Sequence, residues 1–419
     1  MAPRRLTITL AAATTFAALG GSPRLVDLGV DVSAFDVSSD GTVVVGHLTL
    51  GFFEFSGFRW TEQGGFELLA PPPGSQNFTT NAWGVSGDGR VVVGIHNDGQ
   101  GPQAFRWAAE TAMVMLGDLP GGEVFAHAHG ASHDGAIVVG FGASEHSERI
   151  EAFRWTAETG MVGMGDLEGG FFLSDARDIT PDGTVIAGYS IGMVSNEAFR
   201  WTEETGMVAL GGFPGAPFPY TRAFAVSADG STIVGDGVSF NRWEAFRWTA
   251  EEGVVGLGDL PGGSFGSFAR DVSGDGSRVI GQGWGETSTQ EAFIWDAQRG
   301  MRNLNDALRD EFGVDLTGWR LASATAISDD GRAIVGAMLP DPPAPYPDHH
   351  GYIVYLGDPP CPADLDGDGA VGLLDLNTLL LNFGRIAGAE PQQGDLDRDG
   401  DIDVADLAAL LSAFGGACG

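Results

Sequence analysis

The chain has 419 residues, 66 of them glycine, and a formal net charge of −34; it contains no lysine, so all 22 basic residues are arginine. A surface this acidic repels phosphate backbones and anionic lipid, which excludes nucleic acid and membrane surfaces as general partners. Glycine at regular intervals implies many tight turns between short strands rather than long helices.

Arg4 and Arg5 precede an apolar run, residues 6–19, that ends in small residues at Ala18-Leu19-Gly20. The run is shorter than the roughly 20 residues that span a bilayer, so residues 1–21 read as a cleaved secretory signal peptide. No second apolar run of spanning length follows, so no membrane insertion is expected. The protein is expected to be secreted or held at the cell surface.

Residues 22–358 are repetitive. A small apolar strand, a Ser-x-Asp-Gly turn or close variant, and a β-branched run ending in glycine recur with turn glycines at Gly41, Gly89, Gly135, Gly183, Gly230, Gly276 and Gly331, at intervals of 48, 46, 48, 47, 46 and 55. Between them stands a second segment with an aromatic core: Phe58-Arg59-Trp60, Phe105-Arg106-Trp107, Phe153-Arg154-Trp155, Phe199-Arg200-Trp201, Phe246-Arg247-Trp248 and Phe293-Ile294-Trp295, with Tyr352-Ile353-Val354 as a degenerate seventh copy. Asp-Gly supplies the left-handed turn residue of a hairpin, and the period of two puts Phe and Trp on one strand face. Each repeat therefore yields two hairpins, the four strands of a propeller blade. An unpaired strand at residues 25–29 complements the three strands of the last copy, which closes a ring without an open edge. The expectation is a mainly β, seven-bladed β-propeller of four-stranded blades. The repeated arginine of the aromatic strands is expected to pair with the aspartates of the following strand, such as Asp118, Asp166 and Asp259.

The repeat resembles the extracellular HAF repeat family over residues 25–357, although the tripeptide that names the family here begins with Glu or Gln, as at Glu151, Glu197, Glu244, Glu291 and Gln103. The resemblance implies a secreted repeat protein and no particular chemistry.

In each repeat the Ser-x-Asp-Gly and Ala-Glu-Thr-Gly turns are uniform, whereas the connections on the opposite face vary, and variable loops on a constant scaffold are where function concentrates. That face carries Phe53, Tyr220, Trp243 and Trp284, candidates for stacking on sugar rings, with local packing of long loops as the other reading. His127, His129 and His133 suggest a metal, but no carboxylate or cysteine completes a tetrahedral set at a recognised spacing. No acid–base pair stands apart from the repeats.

Residues 359–419 form a separate segment. Residues 364–375 and 395–406 are two 12-residue loops of EF-hand type. Asp364, Asp366 and Asp368 supply the alternating carboxylates of the first, Ala370 a backbone carbonyl, and Asp375 the closing carboxylate. Asp395, Asp397, Asp399, Asp401, Asp403 and Asp406 do the same in the second, with Asp401 contributing its carbonyl. Position 9 is Asp403 in the second loop but Gly372 in the first, so two calcium ions are expected, the first held more weakly. Leu376, Leu379, Leu380 and Phe383 match Leu407, Leu410, Leu411 and Phe414 at an offset of 31, each set at helical spacing after its loop, and the two apolar faces are expected to pack together. Cys361 and Cys418 at the segment's edges read as a disulfide in an exported protein, two unpaired thiols being the other reading.

The duplicated loop–helix unit, with Asp at position 12, resembles the type I dockerin, a small α-helical calcium-binding domain. The resemblance implies anchoring to a cohesin-like protein. Positions that are usually polar in dockerin contacts are here Leu373, Leu374, Val404 and Ala405, with Leu380, Leu381, Leu411 and Ser412 further along, which suits an apolar variant of that interface.

The sequence thus reads as a secreted, calcium-binding, dockerin-anchored propeller that acts as a structural or binding module, with an extracellular glycan as a candidate ligand. The alternative is a polysaccharide-active hydrolase or lyase carried by the dockerin. The missing carboxylate pair favours binding over catalysis.

Overall fold

The computed structural model describes residues 22–51, 54–75, 79–99, 101–145, 150–240, 242–286, 289–341, 348–357, 363, 365, 371–385, 393, 394, 396 and 401–415. The chain divides into two compact units, Arg24–Tyr355 and a second that joins Leu356–Gly419 to Met1–Pro23.

The first unit is a seven-bladed propeller of antiparallel four-stranded sheets. The inner strands, in blade order, are Val32–Val37, Thr79–Val85, Ala126–Ala131, Ser174–Ile179, Thr221–Val226, Ser267–Val272 and Trp319–Ile327. Each packs beside the inner strands of both neighbouring blades, the seventh beside the first, so they surround a central channel. Closure follows the strand arithmetic: Arg24–Val30, the first strand of the chain, is hydrogen-bonded to His350–Tyr355 as the outermost strand of the seventh blade.

The repeated residues explain the blades. Phe58, Phe105, Phe153, Phe199, Phe246, Phe293 and Tyr352 are all fully buried. Burying each contributes about 2–3 kcal/mol. The seventh copy is intact in its fold: Tyr352 takes the place of phenylalanine, and its hydroxyl donates to the Ser323 carbonyl at 3.0 Å. Opposite each aromatic the second strand carries glycine, as in Gly188 against Phe199. A Cβ on Gly188 would stand 2.0 Å from the Asp175 carbonyl oxygen, so only glycine lets the strands approach. In the turns, Ser38 Oγ donates to Asp40 Oδ1 at 2.6 Å and accepts from Val43 N at 3.0 Å, and Gly41 takes φ +71°. The same geometry returns at Ser86, Ser132, Ser227, Ser273 and Ser328, with Thr180 as the variant.

The arginines of the aromatic strands do not pair with the aspartates expected. Arg59 and Arg106 donate from Nε to the turn-glycine carbonyls of the next blade, Gly89 at 3.0 Å and Gly135 at 2.9 Å, and Arg200 does so more loosely to Gly230 at 3.5 Å. They tie neighbouring blades, and Arg59 also stands 3.9 Å from Glu67 of the neighbouring strand. Asp118 and Asp259 stand in their own interblade connections, where burial raises both carboxyls. The widest repeat interval accommodates a helix, α1 (Leu304–Asp310), capped by the Asn303 side chain.

The C-terminal unit contains α2 (Leu373–Asn382) and α3 (Val404–Ala413). Its core is Ala363, Val371, Leu379, Ile402 and Leu410, with Leu376 and Leu407 partly buried. The duplication is visible in the backbone, where Gly384 N donates to Ile402 O at 2.8 Å and Gly415 N to Val371 O at 2.9 Å, a pair related by the same offset as the sequence match. The expected helix packing holds for Leu379 and Leu410. Leu380, Leu411, Phe383 and Phe414 are exposed instead, because the small core is filled by Val371 and Ile402. No helix among the described residues is long and apolar enough to cross a membrane.

Candidate functional site

The inner strands share one irregularity. Each carries an alanine packed into the blade core (Ala34, Ala82, Ala128, Ala176, Ala223, Ala269, Ala324), and the pairing register shifts immediately after it. Strand alternation sends the residue before the alanine toward the channel. The bulge sends the two residues after it the same way. The blades thereby differ in what they present to the channel at these positions; the last of them is Gly84 or Gly130 on blades two and three, and on blades five and seven it is Ala225 or Ala326, which packs into a core cluster instead.

On the first two blades the residue after the alanine is aromatic, Phe35 and Trp83. Phe35 stacks on Trp83 with centroids 4.4 Å apart, and His47 meets Phe35 edge-on at 5.1 Å. On blades three to six charged side chains enter, set among His127, His129, Phe224 and Phe268. Arg177 donates to His129 Nε2 at 3.1 Å and to Asp175 Oδ2 at 3.3 Å, and Tyr189 lies near the same carboxylate, its hydroxyl pushed up by burial and by the Asp175 charge. Arg222 forms a two-point bond with Asp236, Nε to Oδ1 at 2.9 Å and Nη2 to Oδ2 at 3.1 Å. Arg270 lies 3.9 Å from Asp236 Oδ2. All three guanidinium groups stand against the Phe224 ring, at 5.4, 5.4 and 5.0 Å from its centroid for Arg177, Arg222 and Arg270.

Burial sets the electrostatics. It pushes His129 well below the ordinary imidazole range and His127 down to about 4, with the Arg177 charge adding in both cases, so both rings are neutral near pH 7. His129 Nε2 accepts from Arg177, so its proton sits on Nδ1. Asp175 and Asp236 are raised by burial, with their arginines pulling back the other way.

Deeper in the channel, Asp36, Asp178 and Asp271 each bind two backbone N–H groups, one in the same strand and one in the next blade. The bonds to the next blade run to Val85 at 2.8 Å, Val226 at 2.8 Å and Ile327 at 2.7 Å. Burial raises Asp36 to about 6 and Asp178 to about 7, and lifts Asp271 well above the carboxylate range; the Asp329 charge adds to Asp36, those of Asp36 and Asp329 to Asp178, and those of Asp178 and Asp36 to Asp271.

Of the aromatic candidates, Tyr220 and Trp243 come together edge to face, centroids 5.3 Å apart. Trp243 joins the charged cluster, with Arg222 4.9 Å over its ring and Phe268 at 5.9 Å. Trp284 packs over Gly266 and touches neither of them. Phe53 lies outside the described residues. His127 and His129 share the cluster, but His133 belongs to a turn on the opposite face. The carboxylate nearest His129 is Asp175, 3.6 Å away on the next blade. With His129 Nε2 engaged by Arg177, the histidines do not assemble a metal site. Asp175, Arg177, Tyr189, Asp236 and Arg270 escaped the sequence reading. Asp175, Arg177 and Arg270 flank the repeated alanine of an inner strand, and that variable pair was their signal; Tyr189 and Asp236 stand on second strands, where no repeat feature marks them.

In the C-terminal unit, Asp401, Asp403 and Asp406 bring carboxylate oxygens within 4.8 Å of one another. The Asp401 carboxylate thus joins the cluster, where its carbonyl alone was expected. Asp406 accepts Leu396 N at 2.6 Å and Asp403 N at 2.8 Å, and Asp375 accepts Leu365 N and Gly372 N, both at 2.6 Å. The closing carboxylates therefore brace both loops. Asp364, Asp366, Asp368, Ala370, Asp395, Asp397, Asp399, Cys361 and Cys418 lie outside the described residues.

No protein-family model matches this sequence, and no curated protein matches it. Among solved structures, an oligogalacturonate lyase in complex with manganese is 14% identical, covering 80% of this chain and 93% of that one with a TM-score of 0.51. The β-propeller domain of the trilobed protease from Pyrococcus furiosus is 11% identical over 82% of this chain and 98% of that one, TM-score 0.49. TolB from Acinetobacter baumannii is 14% identical over 62% of this chain and 63% of its own length, TM-score 0.44, so the match spans less than two thirds of that relative. At these identities the likeness is one of fold: the chain is similar to known β-propellers.

Proposed function

We propose that the propeller is a glycan-binding module, exported and tethered by a C-terminal dockerin-like domain that holds two calcium ions. The observation that carries this reading is the Tyr220–Trp243 pair beside the arginine cluster. It is an aromatic and polar surface built on the channel positions that the repeats leave free, and sugar rings stack on such aromatics while charged groups fix their orientation. The dockerin-like reading is supported by the duplicated loop–helix backbone and the three-carboxylate cluster of the second loop. Exposed Leu373, Leu374, Leu381 and Val404 offer an apolar docking face for a cohesin-like partner. In the module's family resemblance lies the support for secretion or surface display.

A glycan array probed with the full chain in calcium, beside its Trp243→Ala variant, tests the reading. Binding that the variant loses is the expected result; an array with no calcium-independent or calcium-dependent binding sinks it. A second reading, a lyase or hydrolase, is favoured by the buried His129–Asp175–Tyr189 group. Release of reducing or unsaturated ends from a bound glycan would replace the first reading with the second.

A further inference from the structure

We propose that Arg177, Arg222 and Arg270 form a recognition site for a monoanionic group of an acidic glycan, a uronate carboxylate or a sulfate ester. The glycan class rests on the reading above; the anion site rests on the cluster itself.

Three of the 22 arginines of a chain with net charge −34 converge on the single ring of Phe224. Like charges so grouped repel one another unless counter-charges lie between them. Only Asp175 and Asp236 do so at this level of the channel, and neutral His127 and His129 add nothing, so one positive charge remains in excess. Asp36, Asp178 and Asp271, one level deeper, engage both oxygens with backbone N–H groups and so offer Arg270 no acceptor; the charges that act on Arg270 are Asp236, Arg222 and Arg177.

The excess is localised. Arg222 is satisfied by its two-point bond to Asp236, and Arg177 by His129 and Asp175. Arg270 donates no hydrogen bond among the described residues, and its nearest carboxylate is the one Arg222 already grips. A guanidinium carries five donors in a planar fork that matches the two oxygens of a carboxylate, and Arg270 presents that fork in a half-buried channel walled by Phe224 and Phe268. A sugar bearing the anion can lay its apolar face on Trp243 or Phe268 while its charged group meets Arg270. In the surface cleft beside α1, about 610 Å³, Arg302 is by contrast neutralised by Asp296 at 2.8 Å and Glu311 at 2.9 Å and Arg309 by Asp306, while Arg320 donates to the Gln290 carbonyl.

The test is calorimetric titration of the full chain, in calcium, with trigalacturonate, its methyl ester and a sulfated galactotriose, for the native protein, Arg270→Gln and Arg270→Lys. Thermal melts confirm that the variants fold. An acidic trisaccharide should bind at least about tenfold more tightly than the ester, as one charge-assisted bond allows. Arg270→Gln should lose that difference and Arg270→Lys should keep part of it. Which acidic ligand wins identifies the anion. Equal binding of acid and ester overturns the anion site and leaves the glycan reading standing. If no trisaccharide binds but acetate or sulfate raises the melting temperature of the native protein and not of Arg270→Gln, the anion site stands and the glycan reading falls. If neither trisaccharides nor anions act, both fall.

Discussion

The Asp178 carboxylate of the fourth blade accepts the backbone N–H of Val226 in the fifth at 2.8 Å, across the junction where the ring of turn-to-turn hydrogen bonds is broken. Around the opposite face the x residue of each Ser-x-Asp-Gly turn, or its neighbour, donates to the next turn, from Ser39 to Gly87, Asp88 to His133, His133 to Pro181, Ala228 to Gly274, Gly274 to Asp329 and Asp329 to Ser39. Pro181 accepts but has no N–H to pass on. Asp178→Asn keeps one acceptor and turns an amide N–H₂ toward the other donor, which leaves a buried N–H unsatisfied at a cost of about 1–3 kcal/mol. Asp36→Asn makes the same change where Ser39 still donates to Gly87. The propeller melting temperature should fall further in Asp178→Asn than in Asp36→Asn. Equal falls would show that the missing turn bond does not weaken this junction.

The channel carboxylates also set a pH dependence. Asp36 and Asp178 rise from 3.8 to about 6 and about 7 on folding, so the folded state binds their protons more tightly than the unfolded chain. Their contribution to stability is fully present below about pH 4 and is lost as the pH rises through 6 to 7. His127 runs the other way. Its pKa drops from 6.5 to about 4, so its contribution is intact above pH 6.5 and is lost as the pH falls toward 4. Denaturant titrations from pH 4 to 8 should therefore give a steeper loss toward neutral pH in His127→Gln than in the native chain below pH 6.5, and a flatter profile in Asp178→Asn. Parallel profiles for all three proteins would count against the channel as the source.

Gly188 separates the fold from the site in a different way. A methyl group there meets the Asp175 carbonyl at 2.0 Å and the Phe199 ring at 2.8 Å. The inner strand of the fourth blade must move, and with it Asp175 and Arg177. Gly188→Ala should cost about 3 kcal/mol or more and should weaken ligand binding in whatever protein still folds, read by melting and by titration. A loss below about 1 kcal/mol would mean that the strand yields more easily than its packing indicates.

The propeller was legible because its determinants repeat. The buried aromatics, the turn glycines and the complementary end strands each recur often enough to reveal blades and closure. The charged cluster was not legible for the complementary reason. Arg177, Arg222 and Arg270 come from three different repeats and meet only when the ring closes. The arginine–aspartate pairing inferred from repetition failed because a repeated residue has a repeated neighbour in the next blade as well as in its own. Trp243 was found because aromatic residues in variable connections are conspicuous, but its partner Arg222 was hidden in a strand.

The two calcium loops should behave unequally. In the second, Asp403 accepts Ala405 N at 2.6 Å, capping α3 with a side chain, while Gly372 gives α2 no such cap. Asp401, Asp403 and Asp406 already hold their oxygens together, at the cost of mutual repulsion that a divalent ion relieves. Calcium should accordingly stabilise this unit by mass action and leave the propeller transition unmoved. Calorimetric melts with and without chelator should show one transition that depends on calcium and one that does not. Asp406→Asn should abolish the tighter of two binding events in a calcium titration, and Asp375→Asn the weaker. Two transitions that shift together, or a titration that the Asp406→Asn variant leaves unchanged, would refute the assignment of the second loop as the stronger site.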